Sequence, residues 1–338
     1  MEFKVILSGH LEFGSPRSFD KAYGMYQHKL EKAYKNDVII KEETAFDTEN
    51  KIFSINRLTG TVVDRTWRNT ISVLEMLVDF SLAGSVNAWK LKDGSIIEQY
   101  HLEPKSEKTA IQSYLKGREL FVEGKESEAI LALSKAIEKF ERHALAYERR
   151  GYVNIQLGNI DDALYDFSKS IDICAQSPEA FLGRALIYIN RADFKSATSD
   201  LDMVTKTSIP HQPIYWKARR LKGDCHIARK EFNEAAREYR FFTSKKFTED
   251  NPNFKWTRKT FFEYGKVLME LKKYNEALEA IDASIAIKEG KGNVSKADQF
   301  FYRGLALKNA GKKGFEADLN KAAGYGSEEA KEMLAAMA

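Results

Sequence analysis

The sequence predicts a small α+β domain followed by an all-α array of paired helices, and three observations predict it. At the N-terminus apolar residues alternate with polar ones, the period-2 mark of a half-buried strand. From about residue 110 onward, glycines and alanines recur at matched intervals, as stacked helical hairpins require. All six prolines (Pro16, Pro104, Pro178, Pro210, Pro213 and Pro252) fall between the proposed elements, where a missing N–H removes no helix hydrogen bond.

The 338 residues suffice for two hydrophobic cores, and the 43% apolar and 30% charged content is that of an ordinary water-exposed protein. No run of about 18 apolar residues is present, so no membrane span is expected. The opening MEFKVILSGHLEF carries charge within its apolar run, unlike a signal peptide, which points to a cytoplasmic protein. The net charge is +4, with 14 Lys and Arg against 15 Asp and Glu in residues 1–105. The remainder carries 39 against 34, too weak an imbalance to imply a polyanion partner, so nucleic-acid binding is not expected. Cys174 and Cys225 fall in different helical segments and are expected to be reduced, buried core residues.

In residues 1–105, Phe3, Val5, Leu7, Leu11 and Phe13 define the first strand. A helix follows from about Ser18, with Phe19, Tyr23, Tyr26 and Leu30 on one stripe. Residues 37–46 and 51–58 read as a hairpin, and a second helix begins after Asp64, its expected N-cap, with Trp67, Ile71, Leu74 and Val78 on one face. Two strands joined by Lys92-Asp93-Gly94, a hairpin-type turn, close the domain. The order β-α-β-β-α-β-β predicts a split βαβ-like antiparallel sheet with two helices on one face. Pro104 and the charged run after it mark the boundary, giving domains of 1–105 and 106–338.

The second domain is defined by its repeat. Gly117 is followed by Ala129 and Ala136, Gly151 by Ala163 and Ser170, Ala185 by Ala197, Gly223 by Ala235, and Gly265 by Ala277 and Ser284. A sixth segment (Gly304, Gly311, Leu319, Ala322) is one residue short. Small residues at these places let the two helices of a hairpin cross closely. Leu133, Phe167, Leu201, Tyr239 and Ile281, four after each alanine, fill the remaining space. Ile160, Phe194, Phe232 and Tyr274, three before it, are placed to staple the entry of the second helix. The first hairpin has Glu126 there and is expected to turn more loosely. Ala330, Met333, Leu334 and Met337 form the stripe of a C-terminal capping helix.

Over residues 110–330 this pattern resembles the tetratricopeptide repeat family, a helix–turn–helix unit of 34 residues. The resemblance implies a right-handed superhelix of about six hairpins whose first helices line a concave, partner-binding groove. Carried over by position, it places Tyr114, Arg118, Glu148, Tyr152 and Gln156 there in the first two hairpins, and Lys217, Arg220, Asp224, Lys259, Phe262 and Lys266 in the fourth and fifth. The clamp with which some members hold chaperone C-termini needs Lys and Asn where this chain has Tyr114 and Arg118, and Asn where Arg149 stands, so no such partner is expected.

Catalytic and cofactor patterns were sought as well. No His pairs with another His or with a Cys at helical metal-ligand spacing, so neither a metal nor another cofactor is expected. The Gly-Lys-Gly-Asn run at 290–293 follows a helix rather than a strand and reads as a turn, not a phosphate loop. No catalytic residues are assigned. The expected function is a non-enzymatic scaffold that binds a protein or peptide, an acidic one where Lys217, Arg220, Lys259 and Lys266 cluster. The rival reading makes the first domain an enzyme or ligand-binding module, with His10, Glu12, Arg65 and Arg68 as its polar candidates and the repeats as a targeting arm.

Overall fold

A computed structural model describes residues 1–287 and 294–337, so the turn expected at 290–293 lies outside the described residues. The chain forms two compact units, Met1–Ile187 and Tyr188–Ala338.

The first unit opens with β1 (Glu2–Glu12), α1 (Pro16–His28), a π-helical turn (Lys29–Ala33), the one-turn helix α2 (Glu42–Ala45), β2 (Phe46–Asp47) and β3 (Ile52–Val63). Then come α3 (Asp64–Phe80), β4 (Ala83–Lys92) and β5 (Ser95–Leu102). The sheet has the order β2-β3-β1-β4-β5 and every neighbouring pair is antiparallel. Because β3 and β4 both run opposite to β1, the β3–α3–β4 segment is a parallel βαβ unit with β1 inserted, the split arrangement expected. Both helices cover one sheet face. Phe19 and Tyr26 from α1 and Trp67, Leu74 and Leu77 from α3 share a core with Val5, Leu7, Leu11, Phe53 and Val86.

Two local expectations fail here. Residues 37–46 do not form a strand; only Phe46 and Asp47 pair with β3. Side chains of the two helices take that segment's backbone groups instead. Tyr26 donates to the Ile40 carbonyl (3.0 Å), Asn69 to the Asp37 carbonyl (2.9 Å), and the Ile39 N–H donates to Thr70 Oγ1 (3.2 Å). Asp64 is the first residue of α3 rather than its cap. Its carboxylate accepts from buried Lys90 (2.5 Å) and meets Arg68 at 2.6 Å. The β4–β5 turn is as expected, with Asp93 and Gly94 at φ of 50° and 79°, the pair of left-handed residues that a type I′ hairpin requires.

The helices that follow are α4 (Thr109–Val122), α5 (Glu126–Lys139), α6 (Ala144–Leu157), α7 (Ile160–Ile173), α8 (Pro178–Asn190) and α9 (Phe194–Thr207). Next are α10 (Pro213–Ala228), α11 (Phe232–Ser244), α12 (Thr257–Glu270), α13 (Tyr274–Ala286), α14 (Lys296–Asn309), α15 (Phe315–Gly324) and the terminal α16 (Glu328–Ala335). Ala129, Ala163, Ala197, Ala235 and Ala277 are fully buried. The glycines meet the expected bulky partners. A Cβ built on Gly117 would stand 2.6 Å from Leu133, on Gly151 3.0 Å from Phe167, and on Gly265 2.5 Å from Ile281. On Gly223 it would overlap the Tyr239 ring outright. In α8, Ala185 is fully buried, and a further close approach is made at Gly183. Its Cβ would enter the ring of Phe167, which is thus wedged between Gly151 and Gly183.

All six turns between paired helices end alike. An N–H reaches back five residues to a carbonyl: Lys125 to Leu120, Asn159 to Asn154, Asp193 to Tyr188, Glu231 to His226, Lys273 to Leu268 and Lys312 to Leu307, at 2.8–2.9 Å. This is the Schellman closure, and it sets one residue left-handed in each turn: Gly124, Gly158, Ala192, Lys230, Lys272 and Gly311. The turn before Glu126 is therefore as tight as the others, because the closure uses backbone groups and not the staple side chain. Ile160, Phe194, Phe232 and Tyr274 are the first residues of their helices.

A second recurrent feature joins hairpin helices by charge. The residue before the small anchor is a cation and the residue before the bulky filler an acid: Arg150 and Asp166 (2.7 Å), Lys222 and Glu238 (3.0 Å), Arg303 and Asp318 (2.6 Å). The acids are almost wholly buried.

Candidate functional site

The groove positions divide between the two compact units. In the first unit, the chain itself engages them. Tyr114 is buried with its ring 4.9 Å from that of His143, and Arg118 donates to both carboxylate oxygens of Glu103 at 2.8 Å. Glu148 is buried and accepts from Ser177 (2.6 Å), and Tyr152 donates to the Glu179 carbonyl (2.6 Å). Gln156 is exposed.

The sheet also packs against these repeats, at neighbouring positions. Strand alternation sends Ile6, His10 and Glu12 of β1, and Trp89 and Leu91 of β4, to the side opposite α1 and α3, yet all five are buried. Strand β4 packs on α6. Arg142, between α5 and α6, grips Glu12 with two nitrogens at 2.7 and 3.0 Å. Gln176, between α7 and α8, accepts from the Ser54 hydroxyl (2.5 Å) and donates to the Ile55 carbonyl (2.8 Å). Burial works to raise the carboxyl of Glu103, but His101 and Arg118 bring it down to about 2; Glu12 is likewise held below its ordinary value by His10 and Arg142 against burial. Sequence reasoning missed Glu12, Glu103 and Arg142 as a set, since residues 130 positions apart carry no common local signal.

The rival candidates are dispersed. His10 and Glu12 hydrogen-bond each other at 2.9 Å beneath the sheet, while Arg65 and Arg68 are exposed and face Asp37 and Asp64. Among the described residues, no three His, Cys, Asp or Glu side chains are grouped to hold a metal ion, and no helix is long and apolar enough to cross a membrane.

In the second unit, α10 carries Lys217, Arg220 and Asp224, and α12 carries Lys259, Phe262 and Lys266. Arg220 is buried, stacked 4.2 Å over the Trp256 ring and bonded to Asp224 (2.9 Å), which also accepts from Tyr239 (2.6 Å). Lys266 sits 5.6 Å from the rings of both Phe262 and Tyr302 and pairs with Glu263 at 3.1 Å. Lys259 is exposed. Lys217 is half-buried, and burial, Arg220 and Lys255 all push its ammonium down. Of these two cations, Arg220 is itself paired with Asp224. Trp256 and Tyr302 were not foreseen; the short 3-10 turn Phe254–Trp256 that presents the indole precedes the helical pattern read from sequence.

One half-buried group, Glu179, and one buried group, His143, give the first unit a pH signature. Burial, then the neighbouring Glu148, raises the Glu179 carboxyl from 4.5 to about 7. Burial lowers His143 from 6.5 to about 4; its Nδ1 accepts from the Ala146 N–H as a helix cap. A carboxyl raised on folding contributes stability that is complete below about 4.5 and lost as pH rises through about 7. A histidine lowered on folding contributes stability present above 6.5 and lost as pH falls through about 4. Melting temperature measured against pH is expected to lose its decline toward neutral pH in Glu179→Gln, and part of its acid-side decline in His143→Asn. Each change is worth at most about 3 kcal/mol. Unaltered profiles in both variants count against these assignments.

A family model described as tetratricopeptide repeat matches residues 114–178. A TPR repeat-containing protein of Methanocaldococcus jannaschii is 29% identical over 89 residues, which is 26% of this chain and 15% of that relative, so the chain matches only a small part of its length. Among solved structures, YrrB, described as a TPR protein with an unusual peptide-binding site, is 15% identical, with 61% of this chain and 98% of that one covered at a TM-score of 0.51. Pseudomonas aeruginosa pilF is 15% identical over 67% of this chain and 97% of its own, with a TM-score of 0.50. At such identities the structures speak for the fold. These matches identify the hairpins within residues 114–178 as tetratricopeptide repeats, and the solved structures show the same fold for the helices that follow.

Proposed function

We propose that this protein is a non-enzymatic adaptor whose repeats hold an extended peptide or a partner helix, and that the second compact unit takes an acidic segment between α10 and α12. A preformed helical surface loses little backbone entropy on binding, which favours this use of the fold. The observation that carries the reading is Lys217, a half-buried ammonium near Arg220 and Lys255. A carboxylate there would relieve that repulsion, with Lys259 and Lys266 extending the positive surface and Phe262 and Trp256 offering apolar contact. Tyr114, Arg118 and Tyr152 serve the corresponding helix faces of the first unit only where their own partners His143, Glu103 and Glu179 release them. Division of labour between residues 1–105 and 106–338, and a cytoplasmic setting in keeping with two unpaired thiols, belong to the same reading.

The test is titration of the full chain with an oligoglutamate peptide, read by tryptophan fluorescence and by calorimetry. Lys217→Glu with Lys259→Glu is expected to weaken binding at least about tenfold, roughly 1.4 kcal/mol. Equal affinity in the variant removes this patch as the site.

A further inference from the structure

The sheet offers the first repeats what an acidic ligand would offer. Two carboxylates meet the repeats, Glu12 at the end of β1 with 4% and Glu103 in the segment just after β5 with 8% of the side chain exposed, while the receiving Arg142 and Arg118 stay 54% and 38% exposed. The acids are inserted and the arginines form the rim. The sheet face opposite α1 and α3 also carries the apolar Ile6, Trp89 and Leu91, all buried. Beneath, Glu148 keeps one carboxylate oxygen without a hydrogen bond, and Arg149 keeps its Nε so. These two side chains form an ion pair with each other at 3.6 Å.

We propose that the N-terminal sheet is a built-in competitor for the ligand face of the first two hairpins, with Glu12 and Glu103 acting as its pseudo-ligand carboxylates on Arg142 and Arg118. The consequence is an autoinhibited first unit that accepts an acidic segment only when these two contacts are released. The inference rests on the acidic-peptide reading of the second unit for its choice of probe, but it concerns different residues.

The experiment uses the full chain with Glu12→Gln and Glu103→Gln, which release both arginines without introducing repulsion. Calorimetric titration with oligoglutamate is expected to show a second binding event in this variant, absent from the parent chain and abolished again by adding Arg118→Ala and Arg142→Ala. Hydrogen exchange should rise at least about tenfold in β1 and β4 while α5 and α7 stay protected. A charge-swapped chain, with Glu12→Arg and Glu103→Arg against Arg118→Glu and Arg142→Glu, should restore parental exchange. A variant that gains no second event, or whose gain survives loss of the arginines, overturns the proposal. Loss of the parental event through Lys217→Glu and Lys259→Glu bears only on the second unit, so the two readings fail separately.

Discussion

Replacing Phe167 with alanine is expected to destabilise the first compact unit by about 4 kcal/mol, the upper range for deleting a buried aromatic. Phe167 is fully buried, and its ring fills the space left by two glycines, Gly151 of its own hairpin and Gly183 of the next helix. One side chain thus joins consecutive hairpins, so its loss weakens both the intrinsic stability of one and its interface with the next. Gly183→Val alone should also be costly, by about 1–3 kcal/mol or more, since its Cβ would enter the ring. Combined with Phe167→Ala the valine has room, and the pair should recover at least about 1 kcal/mol relative to additivity. Urea unfolding followed by circular dichroism measures all three. Strict additivity would mean that Gly183 and Phe167 do not share one packing site.

The second large effect is expected at Asp166. Its carboxylate is 1% exposed, accepts from Arg150 at 2.7 and 3.0 Å, and receives a further bond from Asn154 at 3.1 Å. Asp166→Ala strands the Arg150 guanidinium with Ser134 at 2.9 Å as its remaining partner, at a cost of about 3–5 kcal/mol. Burial pushes the Asp166 carboxyl up even beside Arg150, so desolvation outweighs the attraction at this acid. Arg150→Met with Asp166→Leu is accordingly expected to be near neutral. Thermal unfolding of the three variants distinguishes the cases; a double variant as unstable as Asp166→Ala would show that the pair contributes more than mutual neutralisation.

The contrast between these residues explains how much of the fold was legible in the sequence. Gly151, Ala163 and Phe167 are read through helix periodicity, because a close crossing demands small residues at fixed steps and one large residue to fill what remains. The acid before the filler and the cation before the anchor follow the same steps, but charged residues are common on helix surfaces and did not stand out. Gly124, Gly158 and Gly311 mark the left-handed turn, whereas Ala192, Lys230 and Lys272 occupy it without the residue that would announce it. Residues 37–46 have strand composition, but Tyr26, Asn69 and Thr70 claim that backbone from a distance.

The candidate site was legible only in part, for a related reason. Family position places Lys217, Arg220, Lys259, Phe262 and Lys266 on first helices, and α10 and α12 do carry them. It does not indicate that Arg118 is held by Glu103, which lies in the irregular segment between β5 and α4. Alternation along β1 identifies two faces, and with α1 and α3 on one, burial of Ile6, His10 and Glu12 on the other becomes visible only in three dimensions.

The two sulfhydryls bring a practical benefit. Cys174, a partly buried residue closing α7, is raised by burial to about 11, and Cys225, buried in α10, to about 12. Near neutrality almost none of either exists as the nucleophilic anion. Maleimides and mild oxidants should therefore pass both by, and a single cysteine engineered onto an outer helix would accept a fluorophore without first stripping the native sulfur from the chain.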